Sequence, residues 1–206
     1  MKAGKSKIVD RNFFVRDAHL VAYDLLGKVL VHENQNRRVS GMIVELEVYS
    51  GPEDAASHSY KNLGSTRTDV QFHVGGFAYV YTIYGVYHCF NVVVNKPHKP
   101  EAVFIRALEP LEGIEIMQKK RKTENTANLC SGPGKLCMAL DINKTHNGAD
   151  LCNGTLYLEH YKSFSKDEVQ NSPRINIDYA GEAKDYLWRY YIKNNRFVSK
   201  TPRKAP

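Results

Sequence analysis

The chain has 206 residues, and 29 basic against 22 acidic side chains leave a formal net charge of +7. That length fits a single domain, 1–206, with room for a core that needs no disulfide or metal staples. A composition of 42% hydrophobic and 25% charged residues excludes a disordered chain, and no apolar run approaches the ~18–20 residues of a membrane span.

In chain order, the lysine-rich start from Met1 to Ile8 has no apolar segment behind it, which predicts no secretion signal and a cytoplasmic protein. Asp17 to Leu26 predicts a short helix, with Asp17 as N-cap and Gly27 as its stop. A strand follows over Lys28 to Glu33, then a polar turn over Asn34 to Arg38. Gly41 to Tyr49 alternates, placing Met42, Val44, Leu46 and Val48 on one face and Ile43, Glu45, Glu47 and Tyr49 on the other. Residues 53–73 are polar and predict a loop with one helical turn. Phe77 to Ile83 and Val86 to Asn95 are rich in Tyr, Val, Phe and Ile around Tyr84-Gly85, a β-hairpin signal in which glycine supplies a positive φ. A strand over 101–108, a helix over Glu109 to Lys122, a helix from Pro133 to about Leu140 and a strand over Leu156 to Glu159 complete the reading. The tails, about 1–11 and 200–206, are expected to fray. Hairpins mix with helices without a βαβ alternation, which predicts an α+β fold with a mixed, largely antiparallel sheet and a protruding hairpin.

Three places carry candidate chemistry. Glu45 or Glu47, on the same strand face as Tyr49, can serve as a general base for water; two solvated glutamates on an open face fit the same pattern. Tyr84 at a hairpin apex suits a wedge between base pairs in a DNA minor groove, although aromatic hairpins more often pack inward. Arg106 interrupts an apolar strand, and a charge there requires a carboxylate or phosphate partner, structural or functional. The positive net charge fits a polyanionic partner and fits plain solubility equally well. The 13 tyrosines suit a core as well as base stacking. Cys89, Cys130, Cys137 and Cys152 form no C-x-x-C pair and predict free thiols; no metal site is expected. Gly132-Pro133-Gly134-Lys135 lacks the spacing of a nucleotide-binding P-loop.

The ordered set of local sequences is more specific than any one of them. It runs from Leu25-Leu26-Gly27-Lys28 through Ile43-Val44-Glu45-Leu46-Glu47-Val48-Tyr49, Ala56-Ser57-His58-Ser59 and the hairpin from Tyr79 to Tyr87 with Cys89, Phe90 and Asn91. It continues through Ile105-Arg106-Ala107-Leu108-Glu109-Pro110, Leu129 to Leu136, Ile142-Asn143-Lys144, Pro173-Arg174-Ile175 and Tyr179-Ala180-Gly181-Glu182. Over about 12–199 this set resembles the alkyladenine (3-methyladenine) DNA glycosylase family of mammals and many bacteria.

The resemblance implies a monofunctional, cofactor-free and metal-independent hydrolase, monomeric and nucleoid-associated in a bacterium. Such an enzyme approaches double-stranded DNA through the minor groove, flips out a damaged purine and cleaves its N-glycosidic bond to leave an abasic site. It further implies Glu47 as the water-activating base, with Arg106 and the backbone carbonyl of Ile175 holding that water. Tyr49, His58 and Tyr81 would stack on the flipped base, with Cys89 in the same pocket. Asn91 would disfavour guanine's 2-amino group, Tyr84 would be the wedge, and Lys135 and Lys144 would contact phosphates. A non-catalytic binder of distorted DNA on the same fold is the alternative. Val86 stands where animal members carry methionine, Asn176 where glycine is common, and Tyr60 to Thr68 departs from the animal pattern. One conflict arises in the hairpin. A regular two-residue Tyr84-Gly85 loop pairs Tyr81 with His88 and leaves Asn91 on the opposite face, whereas the implied roles need Tyr81 and Asn91 in one pocket. A β-bulge or longer loop is therefore expected.

Overall fold

A long strand with three register shifts in its pairing organises the molecule. The computed structural model describes residues 8–34, 37–62 and 64–199. Eight strands make one sheet: β1 (Val29–Asn34), β2 (Arg37–Ser50), β3 (Ala78–Ile83), β4 (Tyr87–Val94), β5 (Glu101–Glu112), β6 (Leu156–Glu159), β7 (Val169–Ser172) and β8 (Arg189–Ile192). The spatial order is β3-β4-β5-β2-β1-β6, with β8 joining β2 and β7 joining β8. All of these pairings are antiparallel. Four α-helices, α1 (Arg11–Phe14), α2 (Ala18–Leu25), α3 (Ile114–Arg121) and α4 (Pro133–Leu140), pack around the sheet. The architecture is the expected single α+β unit, and among the described residues no helix is long and apolar enough to cross a membrane.

Local signals place most elements. Asp17 caps α2 by accepting from the backbone N–H groups of His19 and Leu20, and Gly27 follows with φ +85°. Pro133 opens α4. The core fills the sheet face bearing Leu46, Val48, Val80, Phe90, Val92, Val103 and Ile105, all fully buried. Each such side chain contributes about 1.5–3 kcal/mol by leaving water.

Several expectations are corrected. The helix placed over Glu109 to Lys122 begins only at Ile114, because β5 continues to Glu112. Pro110 lies opposite Gly41, next to a register shift at Ser40/Gly41, where a missing N–H costs the ladder least. Gly113, at φ +72°, then turns the chain; a Cβ there would stand 2.7 Å from the Arg38 carbonyl oxygen. The single helical turn in 53–73 becomes separate 3₁₀ turns at Tyr60–Asn62 and Asp69–Phe72, after one at Gly51–Glu53. The N-terminal tail is fixed earlier than expected: Ile8 bridges Glu159, Val9 is fully buried and Arg11 pairs with Asp150 at 2.6 Å. At the other end the chain stays packed through Ser199. The rest of the two tails, 1–7 and 200–206, lies outside the described residues. The four cysteines are free thiols.

The hairpin resolves its parity conflict in the direction the implied roles require. Tyr84 and Gly85 both have positive φ, 52° and 73°, and Val86 N–H donates to the Ile83 carbonyl at 3.3 Å. Strand pairing nevertheless begins at Ile83 with Tyr87, so Val86 is an extra, unpaired residue. Tyr81 consequently faces Cys89 and Tyr79 faces Asn91, all four on the sheet face away from the core.

Candidate active site

The sheet's non-core face forms the floor of a cleft of about 830 Å³. The hairpin overhangs one side, and the start of α4 and the 175–179 loop close others. A smaller inner recess of about 50 Å³ lies between β2, the 56–58 segment, the Asp69–Phe72 turn and the hairpin. Cross-strand register explains the convergence. Asn91 lies opposite Phe104, and Phe104 opposite Glu47, so three strands deliver side chains in one transverse row.

Under the cleft floor lies a buried cluster of charges. Glu45 and Glu47 are both fully buried, which removes the reading of two solvated glutamates. Register shifts flank Glu45 in its pairing with β5: Val44 is an extra residue on one strand and Arg106 on the other. The two irregularities offset each other and bring Arg106 against both carboxylates. Its Nε donates to Glu45 Oε1 at 3.0 Å, and its Nη1 lies 3.2 Å from Glu47 Oε1. Burial pulls the Arg106 pKa down, but Glu47 and Glu45 carry it above its ordinary value, so it stays cationic.

The two carboxylates differ in their other partners. Glu45 also accepts from Arg189 Nε at 2.8 Å, Ser199 N–H at 2.6 Å and Ser199 Oγ at 2.8 Å. Glu47 accepts from the Ile175 N–H at 2.8 Å and the Tyr49 hydroxyl at 2.9 Å. Tyr49, Arg106 and Ile175 all line the cleft, whereas Arg189 and Ser199 do not. Glu47 is thus the carboxylate directly behind the cleft wall. Burial, with the Glu47 charge, raises the Tyr49 pKa well above its ordinary value, which keeps its hydroxyl a donor to that carboxylate. At Ile175 it is the N–H that touches Glu47; the expected role of its carbonyl concerns water and is a separate matter.

The loop that brings Ile175 is clamped by an ion pair with no local sequence signal. Arg174 donates to both oxygens of Asp54, at 2.5 and 2.8 Å, and to the Val48 carbonyl at 2.9 Å, with both side chains fully buried. Its guanidinium is sandwiched between Tyr49 and Trp188, 4.7 and 5.0 Å from the ring centroids. The next residue but one, Asn176, has φ 60°, a conformation asparagine tolerates and glycine adopts freely.

The walls are aromatic. Tyr49, His58 and Tyr81 all line both the cleft and the recess. His58 meets Tyr81 edge-on at 4.7 Å, and its Nδ1 is hydrogen-bonded to the Tyr79 hydroxyl at 2.9 Å. The residue keeps an exposed side, yet the packing around its ring and the nearby Arg67 charge lower its pKa to about 4, leaving it neutral at pH 7. Cys89 is buried on the cleft side of Tyr81. The buried Asn91 donates from Nδ2 to the Tyr79 carbonyl at 3.0 Å. Arg67, from the stretch read only as polar loop, was not foreseen; its guanidinium lies 4.9 Å from the Tyr81 ring centroid.

At the rim, Tyr84 is 82% exposed and stands beside the exposed Val86. Lys135 lines the cleft with Nζ 2.5 Å from Asn128 Oδ1. Lys144 is exposed, and its Nζ donates to the Val80 carbonyl at 3.2 Å. The cleft therefore unites Glu47, Arg106, Ile175, Tyr49, His58, Tyr81, Cys89, Tyr84 and Lys135, with Asn91 in the recess and Lys144 outside both. Among the described residues, no three His, Cys, Asp or Glu side chains are grouped to hold a metal ion.

Comparison with known proteins identifies the family. The family model described as "Methylpurine-DNA glycosylase (MPG)" matches residues 12–196. A protein of Clostridium novyi named "Putative 3-methyladenine DNA glycosylase" is 47% identical over 202 residues, covering 94% of this chain and 99% of that protein. Relatives bearing the same name in Alkaliphilus oremlandii and Clostridium tetani are 46% and 48% identical, with 93% of this chain and 98% of each relative covered. At that extent of matching, the chain belongs to the methylpurine-DNA glycosylase family.

Proposed function

We propose that this protein is a base-excision DNA glycosylase that flips alkylated or deaminated purines out of duplex DNA and hydrolyses the N-glycosidic bond, leaving an abasic site. The observation that carries the reading is the Glu47 carboxylate, buried behind an aromatic-walled cleft and held by Arg106, Tyr49 and the Ile175 N–H. Water attacks C1′ of the flipped nucleotide while Glu47 takes a proton from it. The bond to the purine breaks with its electron pair leaving on the base. The sugar passes through an oxocarbenium-like state, which a nearby carboxylate stabilises, as in glycoside hydrolysis. Arg106 and the Ile175 backbone hold Glu47 and, through the Ile175 carbonyl, the water.

Alkylated purines such as 3-methyladenine and 7-methylguanine carry positive charge and leave readily. Tyr49 and Tyr81 offer π faces to such rings, and a neutral His58 adds no opposing charge. Arg67 occupies the Tyr81 face in the free protein and must yield it to the base. Asn91, in the recess, opposes guanine's 2-amino group. Tyr84 is the wedge that fills the gap in the duplex. A bulky, exposed residue at a left-handed φ is costly for the free protein, which favours a role on DNA. Flipping costs a few kcal/mol and less at damaged or mispaired bases, which adds selectivity. Lys135 and Lys144 exchange their internal partners for phosphate oxygens. The protein acts as a cytoplasmic monomer approaching the minor groove.

The test is a strand-cleavage assay on duplexes carrying 3-methyladenine, 7-methylguanine, hypoxanthine or ethenoadenine, with alkali added after incubation. Alkali-dependent breaks at one or more lesions are expected. Binding to these duplexes with no base release from any of them would favour the non-catalytic binder.

A further inference from the structure

Polar atoms that stay unpaired in a protein interior are rare and costly, so each one invites an explanation. Among the described residues, three buried side-chain atoms have no hydrogen-bond partner: Arg16 Nη2, Gln71 Oε1 and Arg174 Nε. Arg16 and Arg174 use their other nitrogens, in ion pairs with Asp24 and Asp54 and, for Arg16 Nε, in a bond to the Phe13 carbonyl. Gln71 is different. It is only 4% exposed, it lines the inner recess, and its side-chain oxygen is an acceptor without a donor.

The surrounding chain holds Gln71 firmly in that place. Its N–H donates to the Thr68 carbonyl at 2.8 Å within the Asp69–Phe72 turn. The preceding residue, Val70, is buried in a small apolar cluster with Tyr79 and Val93, which fastens the turn to the hairpin. Three other polar side chains of the recess are already engaged: Tyr49 with Glu47, His58 with Tyr79, and Asn91 with the Tyr79 carbonyl. The recess opens on the cleft through the shared Tyr49, His58 and Tyr81, and its spare acceptor suits the N–H-bearing edge of a flat ring seated in that cleft.

We propose that Gln71 is a specificity-determining residue whose side-chain oxygen accepts a hydrogen bond from the 6-amino group of a purine held in the cleft with its edge entering the recess, favouring adenine-type over guanine-type lesions. This rests on the glycosylase reading above. A cationic 3-methyladenine sharpens the interaction, because a donor on a charged ring makes a stronger hydrogen bond. A 6-oxo purine instead sets oxygen against oxygen and leaves two acceptors unpaired in a dry site. Gln71 thus reads the 6-position, an edge distinct from the 2-amino group assigned to Asn91.

The experiment compares the protein with its Gln71→Met variant, which keeps the length of the side chain and removes the acceptor. The substrate is duplex DNA methylated at its purine nitrogens, which carries 3-methyladenine and 7-methylguanine together; released bases are quantified from the same tube. The unaltered protein reports on the glycosylase reading by itself: if it releases neither base, that reading fails. If it releases both, Gln71→Met is expected to lower the ratio of 3-methyladenine to 7-methylguanine release about tenfold, the scale of one lost charge-assisted hydrogen bond. The variant should also melt no lower than the parent, because it loses an unpaired buried oxygen rather than a structural bond. An unchanged or raised ratio overturns the proposal. So does a lowered melting temperature, which would show that the amide serves the fold.

Discussion

Glu45 and Glu47 are two positions apart, equally buried, and share Arg106, yet they stand in different neighbourhoods. Glu45 is enclosed by Arg189 and the Ser199 backbone and hydroxyl, which pin the end of the described chain to the centre of the sheet. Each partner of Glu47 forms part of the cleft wall. One carboxylate neutralises arginines inside the fold. The other shares only Arg106 and stands against the space where a substrate would lie. Burial and charge pairing alone therefore do not tell the two carboxylates apart; the position of their partners does.

The comparison can be broken at Glu45 first. Glu45→Gln leaves Arg189 without its carboxylate in the interior, and removing one partner of a buried pair costs about 3–5 kcal/mol. Urea unfolding should show that loss, while excision by the folded fraction stays within about tenfold of the parent. A stability loss below about 1 kcal/mol would contradict the structural role.

The rim offers the opposite case, a residue that contributes nothing to the core. Tyr84→Ser should leave stability within about 0.5 kcal/mol and weaken binding to lesion-bearing duplex about tenfold, or 1.4 kcal/mol. Equal affinity of the two proteins would remove the wedge.

The smallest expected effect concerns protons. The His58 pKa is lowered from 6.5 to about 4 by burial and by Arg67. The unfolded chain therefore binds this proton more readily. Stability from this group is fully present above pH 6.5 and is lost as pH falls through about 4. His58→Gln should show a shallower fall in melting temperature across that window than the parent. Parallel curves would mean that His58 does not carry the proposed shift.

How far the sequence reveals all this depends on how local each signal is. The caps at Asp17, Gly27 and Pro133 act within one turn, and the elements they bound lie where expected. The hairpin shows a finer case: the roles implied by the resemblance need Tyr81 and Asn91 on one face, and one extra residue at Val86 meets that need. The helix start at Ile114 is not legible locally because Glu109 to Leu111 suit a helix in isolation, and only pairing across to β2 holds this stretch extended. The short strands β7 and β8 carry no alternating pattern long enough to read. The partners that fix the site are the least legible. Asp54 and Arg174 are 120 positions apart, and Glu45 and Ser199 are 154 apart. Nothing in the neighbourhood of either member announces the other. Gln71 is plain within a polar loop until the fold buries it.

The account rests most heavily on Glu47 as the base, and Glu47→Gln tests it directly. Arg106 keeps Glu45 in this variant, and the amide oxygen can still accept from the Ile175 N–H, so the cleft should persist. Single-turnover release of a methylated purine should fall about 10²–10⁴-fold, the usual contribution of a general base, while a binding titration shows lesion-duplex affinity near that of the parent. Base release at the parent's rate would contradict the assignment.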